Sequence, residues 1–274
     1  MASAYPLHMP TNDPQQVKSL ARGLHILLAL AEHPHGLALA DLARAVDLAP
    51  STVHRLLQTL QQLRFVRESI DGLWQVGVAS FEMGSAFFVA RDWVGDLHPA
   101  LVRLAGLGET ANLGTLDGSE VIFVSQVECT EVMRMVAPLG SRAPAWASGV
   151  GKALLAAMSE PQRRAQLPQE LGPAFTDSTL TDWASLEADL AHARQRGYVL
   201  DLEERNPGLR CVAAPVFDEF GQARIAISLS GPVARMNDER VVELGREVAQ
   251  TAYEFTLNLG GRWPSDWTKP ATDG

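Results

Sequence analysis

Residues 38–57 read ALADLARAVDLAPSTVHRLL. Leu39, Leu42, Ala43 and Val46 fall at the three- and four-residue spacing of one helix face. Val53, Leu56 and Leu57, continued by Leu60 and Leu63, make a second such stripe. Asp47-Leu48-Ala49 separates the two patterns. Pro50 suits the first turn of the second helix, where a missing N–H leaves no bond unmade. Two helices joined by so short a turn predict a helix-turn-helix.

The flanks extend that unit. Upstream, Leu20, Leu24, Leu27, Leu28 and Ala31 predict a helix from Val17, with Ser19 placed to cap its start. It should stop near His33-Pro34, because the residue before proline avoids the helical region. Downstream, Phe65-Val66-Arg67 and Trp74-Gln75-Val76 alternate around Asp71-Gly72, a hairpin signal that adds a wing. A long helix follows from Val78 to about Leu97, with Phe81, Gly84, Ser85, Phe88 and Val89 on one side, ending near Pro99. Residues 1–16 hold three prolines and no Lys or Arg, and read as a loose tail.

The second helix of the pair would present Ser51, Thr52, His54 and Arg55 outward from its first turn. Such groups hydrogen-bond base edges and phosphates, and Arg forks onto guanine. Arg67 sits where a wing meets a phosphate backbone, and Lys18 and Arg22 are placed to reach a phosphate or a minor groove. A small helical bundle that binds protein through the same surface remains the alternative. The net charge of −9 speaks against nucleic acid until it is divided. Residues 17–80 carry six basic and five acidic side chains; the acidity belongs to the part from residue 81 onward. A near-neutral reading domain predicts a modest salt slope per protomer and a dimer on a palindromic operator.

The remaining chain mixes element types. Helices are expected at 99–109, 149–158, 184–196 and 238–259, and strands at 111–117, 120–127, 132–138, 198–204, 210–217 and 223–230. Strands adjacent in sequence and joined by short turns such as Asp117-Gly118 imply an antiparallel sheet with helices against it, an α+β fold. A chain of 274 residues, 46% hydrophobic and 20% charged, suits two folded domains. No apolar run approaches a membrane span, and the first residues lack a secretory signal. Two cysteines, Cys129 and Cys211, are too few for a disulfide framework and fit a cytoplasmic protein. No metal-ligand spacing and no His in a nucleophile motif are present, so neither a metal, a cofactor nor an enzyme is expected.

One stretch invites a small anion. Ser148 can cap the helix opened by Gly149-Val150-Gly151-Lys152, leaving the N–H groups of Gly149 and Val150 open to a ligand. A phosphate loop would need a further upstream Gly and a Ser or Thr where Ala153 stands. Ser228 and Ser230 share one face of a strand. Asp201 can accept from a hydroxyl, and Cys211 can donate weakly or pack. Taken singly, the serines read as sheet residues bonded to neighbours, Cys211 as core and Asp201 as a solvated strand end.

Five segments together resemble the IclR family of bacterial transcriptional regulators: VKSLARGL (17–24), STVHRLL (51–57), MRMVAPLGSRAPAWASGVGKA (133–153), GLRCV (208–212) and ISLSGP (227–232). The resemblance covers nearly the whole chain. It implies a winged helix-turn-helix over 17–78, a linker helix over 79–97, a GAF-like effector domain over 98–262 and a C-terminal tail over 263–274. It further implies a homodimer or homotetramer. For the glyoxylate-sensing branch, it implies an effector held by Gly149, Val150, Asp201, Cys211, Ser228 and Ser230. Glyoxylate or pyruvate would lie against an apolar wall of Val132, Met135, Ala143 and Leu209. Val150 is larger than the family's usual Ala, and Ala143 smaller than its Leu.

Overall fold

The structure, a computed structural model, describes residues 17–89 and 93–270. The chain divides between residues 91 and 92 into two units. The expected tail over 1–16 lies outside the described residues, as do the side chains of Ser85, Phe88 and Val89.

The first unit contains α1 (Lys18–Ala31), α2 (Leu39–Ala45), α3 (Pro50–Gln62), β1 (Val66–Glu68), β2 (Trp74–Val76) and α4 (Val78–Val89). Ile26, Leu30, Leu42, Val53, Leu57 and Trp74 form its core. Asp47 makes the turn between α2 and α3 at φ 50°, a left-handed conformation that Asp tolerates better than most residues. β1 and β2 pair antiparallel, Val66 opposite Val76. Leu37 adds a single antiparallel bridge through backbone bonds to Trp74 of 3.0 and 2.8 Å. Trp74 is thereby the residue that pins the wing to the helices.

Two details of α1 differ from expectation. Ser19 does not cap it: the helix already begins at Lys18, so Ser19 lies within its first turn. The buried face is Gly23, Ile26, Ala29 and Leu30, while Leu20, Leu24 and Leu28 are exposed. α1 is apolar on two sides, and α2 and α3 cover only one.

The second unit runs α5 (Trp93–Ala105), β3 (Thr110–Asp117), β4 (Glu120–Val127), β5 (Arg142–Pro144), α6 (Gly149–Ala156), α7 (Glu160–Gln166), α8 (Trp183–Arg196), β6 (Val199–Leu202), β7 (Leu209–Phe217), β8 (Ala223–Pro232) and α9 (Asp238–Asn258). Its six strands are ordered β5-β4-β3-β8-β7-β6, each pair antiparallel. From Cys211 onward β7 is buried on both faces. Cys211 and Ala213 face α6, and the alternate residues Val212, Ala214 and Val216 lie on the face that α9 covers.

Pro99 does not end a helix. α5 passes through it, because Leu97, Leu101 and Leu104 are fully buried at helical spacing and outweigh the one backbone bond that proline forgoes. Of the helix expected from Val78 to about Leu97, α4 lies in the first unit and the start of α5 in the second, and residues 90–92 between them lie outside the described residues. The strand expected at 132–138 is absent. The edge of β4 is met only from Gly140 onward, by bonds to Phe123 and then by β5, so the apolar 132–136 stretch has no strand to pair with. The C-terminal segment is packed at least to Thr268. Trp263 and Trp267 are buried, edge-on to Phe217 at 5.0 and 5.7 Å, and the Thr268 N–H donates to Arg194 O.

Candidate functional site

The sheet register assembles the site. Asp201 pairs with Cys211, Cys211 with Ser230 and Ser230 with Thr110, one row across four strands. One step along the sheet, Ala213, Ser228, Asn112 and Gln126 form a second row. Strand period two turns both rows to the same face. The N-terminus of α6 lies on that face. Ser148 adopts extended backbone at the cap, and its Oγ accepts from Gly151 N at 3.4 Å. Gly149 is required there: a Cβ would stand 2.6 Å from Cys211 Sγ.

Between helix end and sheet lies a cavity of about 50 Å³, lined among others by Phe123, Met135, Ala143, Gly149, Val150, Asp201, Arg205, Leu209, Cys211 and Ser230. One water needs ~10–15 Å³, so this space suits only a handful of non-hydrogen atoms.

The charges around it are buried. Lys152, on α6, is fully enclosed; its Nζ donates to Asp189 at 2.8 Å, to Leu200 O at 2.7 Å and to Glu204. Burial works against its ammonium form, but Glu204, Asp189 and Asp201 outweigh that and raise its pKa. Burial likewise pushes the Asp201 carboxyl up, opposed by Lys152 and by N–H groups of Glu204 and Gly149. The Glu204 bond measures 3.0 Å. Glu204 itself is pushed up to about 7 by burial, with Lys152 pulling down and Asp201 pushing up. The Cys211 thiol is pushed up to about 12 by burial and by Asp201, which favours its neutral form.

Of the residues expected to hold an effector, Gly149, Val150, Asp201, Cys211 and Ser230 line the cavity. Ser228 is fully buried one row further along the sheet. Met135, Ala143 and Leu209 form part of the wall. Val132 does not: it is 98% exposed, on the stretch that never became a strand.

Three further polar residues belong to the site. Lys152 does not match a phosphate-loop lysine; its signal in the sequence is a lone cation inside an otherwise apolar helix. Arg205, on the cavity wall, donates to Arg142 O at 3.1 Å and opposes the burial effect on Asp201. Asn112 carried the clearest overlooked signal, an amide in the interior of a strand, where Asn is disfavoured. It is fully buried, and its Nδ2 lies 3.4 Å from Ser228 Oγ and 3.3 Å from Ser230 Oγ. Among the described residues, no cluster of His, Cys, Asp or Glu could hold a metal ion.

In the first unit, Ser51, His54 and Arg55 are exposed on the first turns of α3, with Thr52 half-buried beside them. Arg67 is exposed on β1, and Lys18 and Arg22 are exposed on α1. Val53 and Leu57, buried between them, hold α3 so that its polar side faces out.

The comparisons agree with this division of labour. Residues 19–69 match the IclR helix-turn-helix domain, and residues 91–256 the C-terminal domain of bacterial IclR transcriptional regulators. The chain is 46% identical over 250 residues to the transcriptional repressor IclR of Escherichia coli, covering 90% of this chain and 91% of that one. It is 45% identical, over 90% of its length and 91% of the relative's, to the acetate operon repressor of Salmonella typhimurium. The solved IclR of Thermotoga maritima superposes with a TM-score of 0.76 at 27% identity, over 89% of this chain and all of that one. The reading head and the sheet domain thus coincide with the two family domains, in that order along the chain. The chain belongs to the IclR family, as a DNA-binding transcriptional regulator with a C-terminal effector-binding domain.

Proposed function

We propose that this regulator senses a two- or three-carbon 2-oxo acid, glyoxylate first and pyruvate second, and that binding changes its hold on a palindromic operator in the cytoplasm. The observation that carries this reading is the cavity of about 50 Å³ at the N-terminus of α6, where backbone N–H groups meet Ser230, Cys211 and Asp201. A helix N-terminus attracts a carboxylate without a dedicated cation. Asp201, with its pKa raised, can donate to the ligand when protonated or accept from a hydrated aldehyde when ionised. The name of the Salmonella relative places it at genes for a two-carbon acid, in keeping with the size of the cavity.

Reading DNA falls to Ser51, Thr52, His54 and Arg55 at the tip of α3, with Arg67, Lys18 and Arg22 on phosphates. A single near-neutral head binds weakly, so the unit acts as a homodimer or a pair of dimers. Leu20, Leu24 and Leu28 on α1, with Phe81 and Met83 on α4, supply exposed apolar surface for that association. The effector must bind one quaternary state better than the other, or it shifts nothing.

Titration calorimetry of the purified chain with glyoxylate and pyruvate tests the ligand. Saturable binding of either supports it, and no heat up to millimolar concentration removes it. A gel shift on the DNA upstream of its own gene, with and without each acid, reads DNA binding and the sign of control together. Both relatives described above are named repressors, so release of DNA by the acid is the outcome expected.

A further inference from the structure

We infer that Asn112 is a positioning residue that makes the site select carboxylates, by donating to the serine hydroxyls beside it and so turning the Ser230 O–H toward the ligand. This rests on the small-acid reading of the cavity and names the group that sets its polarity.

The orientation of Asn112 follows from its neighbours. Its Nδ2 faces Thr110 O at 3.3 Å, and a carbonyl can only accept. The nitrogen therefore belongs on that side. With one amide hydrogen on Thr110 O, the second is shared between Ser230 Oγ at 3.3 Å and Ser228 Oγ at 3.4 Å. The amide oxygen on the other side accepts from Gln126 Nε2 at 2.7 Å. Asn112, Thr110 and Ser228 are fully buried and Ser230 nearly so, while Gln126 is half-buried.

A hydroxyl has one hydrogen and two acceptor positions. Once Asn112 donates to it, its own hydrogen is left to point elsewhere. Ser230 and Ser228 pull the Cys211 pKa down against burial, the sign of O–H groups directed at its sulfur. A neutral sulfur is a weak acceptor. A carboxylate oxygen at the mouth of the same cavity, next to Ser230, is a far better one and takes the hydrogen from it. The site is thus wired to donate, and a ligand that itself needs an acceptor finds none at the serines. An aspartate of the same shape at position 112 would reverse the wiring: the hydroxyls would donate back to it and turn their lone pairs to the cavity.

The test compares pyruvate with pyruvamide, which replaces one carboxylate oxygen by NH₂, on the full-length protein by calorimetry. The wild type should prefer pyruvate. Asn112→Asp should weaken pyruvate about 10- to 100-fold, the worth of one hydrogen bond to a charged group. Pyruvamide binding should hold or tighten, and that retained binding shows that the pocket is folded. Asn112→Ala, which leaves the hydroxyls unset, should fall between the two. Equal losses of both ligands would mean a merely structural role and would overturn the inference, as would an unchanged preference in Asn112→Asp. Should that variant not fold, Asn112→Ala decides alone: a preference kept at the wild-type ratio overturns the role. If the wild type binds neither pyruvate nor glyoxylate, the small-acid reading fails separately. Asn112 is then judged without ligand, by nuclear Overhauser contacts from its Nδ2 hydrogens to the β-hydrogens of Ser228 and Ser230. Their presence upholds the donor assignment and their absence overturns it.

Discussion

The two domains solve recognition in opposite ways. At the tip of α3 the reading groups Ser51, His54 and Arg55 stand in water, on a scaffold whose buried residues are almost all apolar. In the second domain the groups that matter are inside: Lys152 and Ser228 at zero exposure, with Asp201 on the cavity wall. The difference follows from the ligands. A duplex is large, and many weak exposed contacts on two symmetric heads add up. An acid of five or six non-hydrogen atoms offers few contacts, so each must be fixed beforehand and shielded from water. Changes at the first site should therefore alter binding and leave stability alone. Changes at the second should alter both.

The largest effect should come from Lys152→Met. Three carboxyl groups, on Asp189, Asp201 and Glu204, would lose the cation they surround. Removing one partner of a buried ionic cluster costs about 3–5 kcal/mol. Chemical denaturation at pH 7.5 should show that loss, and a midpoint unchanged from wild type would mean the cluster is not the structural centre of this domain. Arg55→Ala is the counterpart. It should leave the denaturation midpoint within about 0.5 kcal/mol, as exposed changes do. Operator affinity should fall by about 1–3 kcal/mol per head if Arg55 reads a base. A gel shift that does not move would take α3 out of the operator groove.

The ionic cluster also gives the second domain a pH response. Glu204 has a folded pKa of about 7, above its ordinary 4.5. The folded chain holds that proton more tightly than the unfolded chain. Its contribution to stability is therefore complete below about 4.5 and is lost as pH rises through about 7. Glu204→Gln keeps the neutral shape and removes the titration. Measured against this variant, the wild type should lose on the order of 1 kcal/mol between pH 5.5 and 8.5. Parallel melting curves across that range would show that Glu204 does not titrate there. An incoming carboxylate adds negative charge beside Asp201, so its affinity should fall as well, by up to about tenfold per pH unit above 7.

The same contrast decides what could be read from the sequence. The reading head is made of local patterns. Apolar spacing gives α2 and α3, Pro50 gives a start and Asp71-Gly72 gives the hairpin, so its elements follow from neighbours along the chain. Even there, α1 shows the limit: spacing detects a helix, but a helix apolar on two sides does not say which side is buried. The effector site is made of cross-strand pairs. Asp201, Cys211, Ser230 and Thr110 are one row only because of the sheet order, and residues up to 120 apart in sequence become neighbours. No local signal carries that. The family resemblance supplied Gly149, Val150 and four polar side chains, because those have recognisable motifs around them. It did not supply Asn112 or the partners of Lys152, whose importance lies in whom they meet.

The smallest effect tests whether inside and outside have been drawn correctly. The resemblance placed Val132 on the cavity wall with Met135, Ala143 and Leu209. The structure keeps those three at the cavity and leaves Val132 98% exposed. The chain between β4 and β5 is tied down on either side of it: Arg134 is paired with Glu128, and Thr110 Oγ1 donates to Met135 O at 2.8 Å. With Met135 held there, Val132 lies three residues back along an irregular segment and buries almost nothing. Val132→Ala should then change stability by less than about 0.5 kcal/mol and leave the acid's dissociation constant within about twofold. Met135→Ala, in contrast, removes a side chain that lines the cavity and should weaken the acid severalfold. If calorimetry instead shows Val132→Ala weakening the acid tenfold, residues 128–141 must fold inward over the bound ligand. The cavity wall would then be completed by a segment that stands outside when the site is empty, and the effector domain would share the reading head's use of exposed residues.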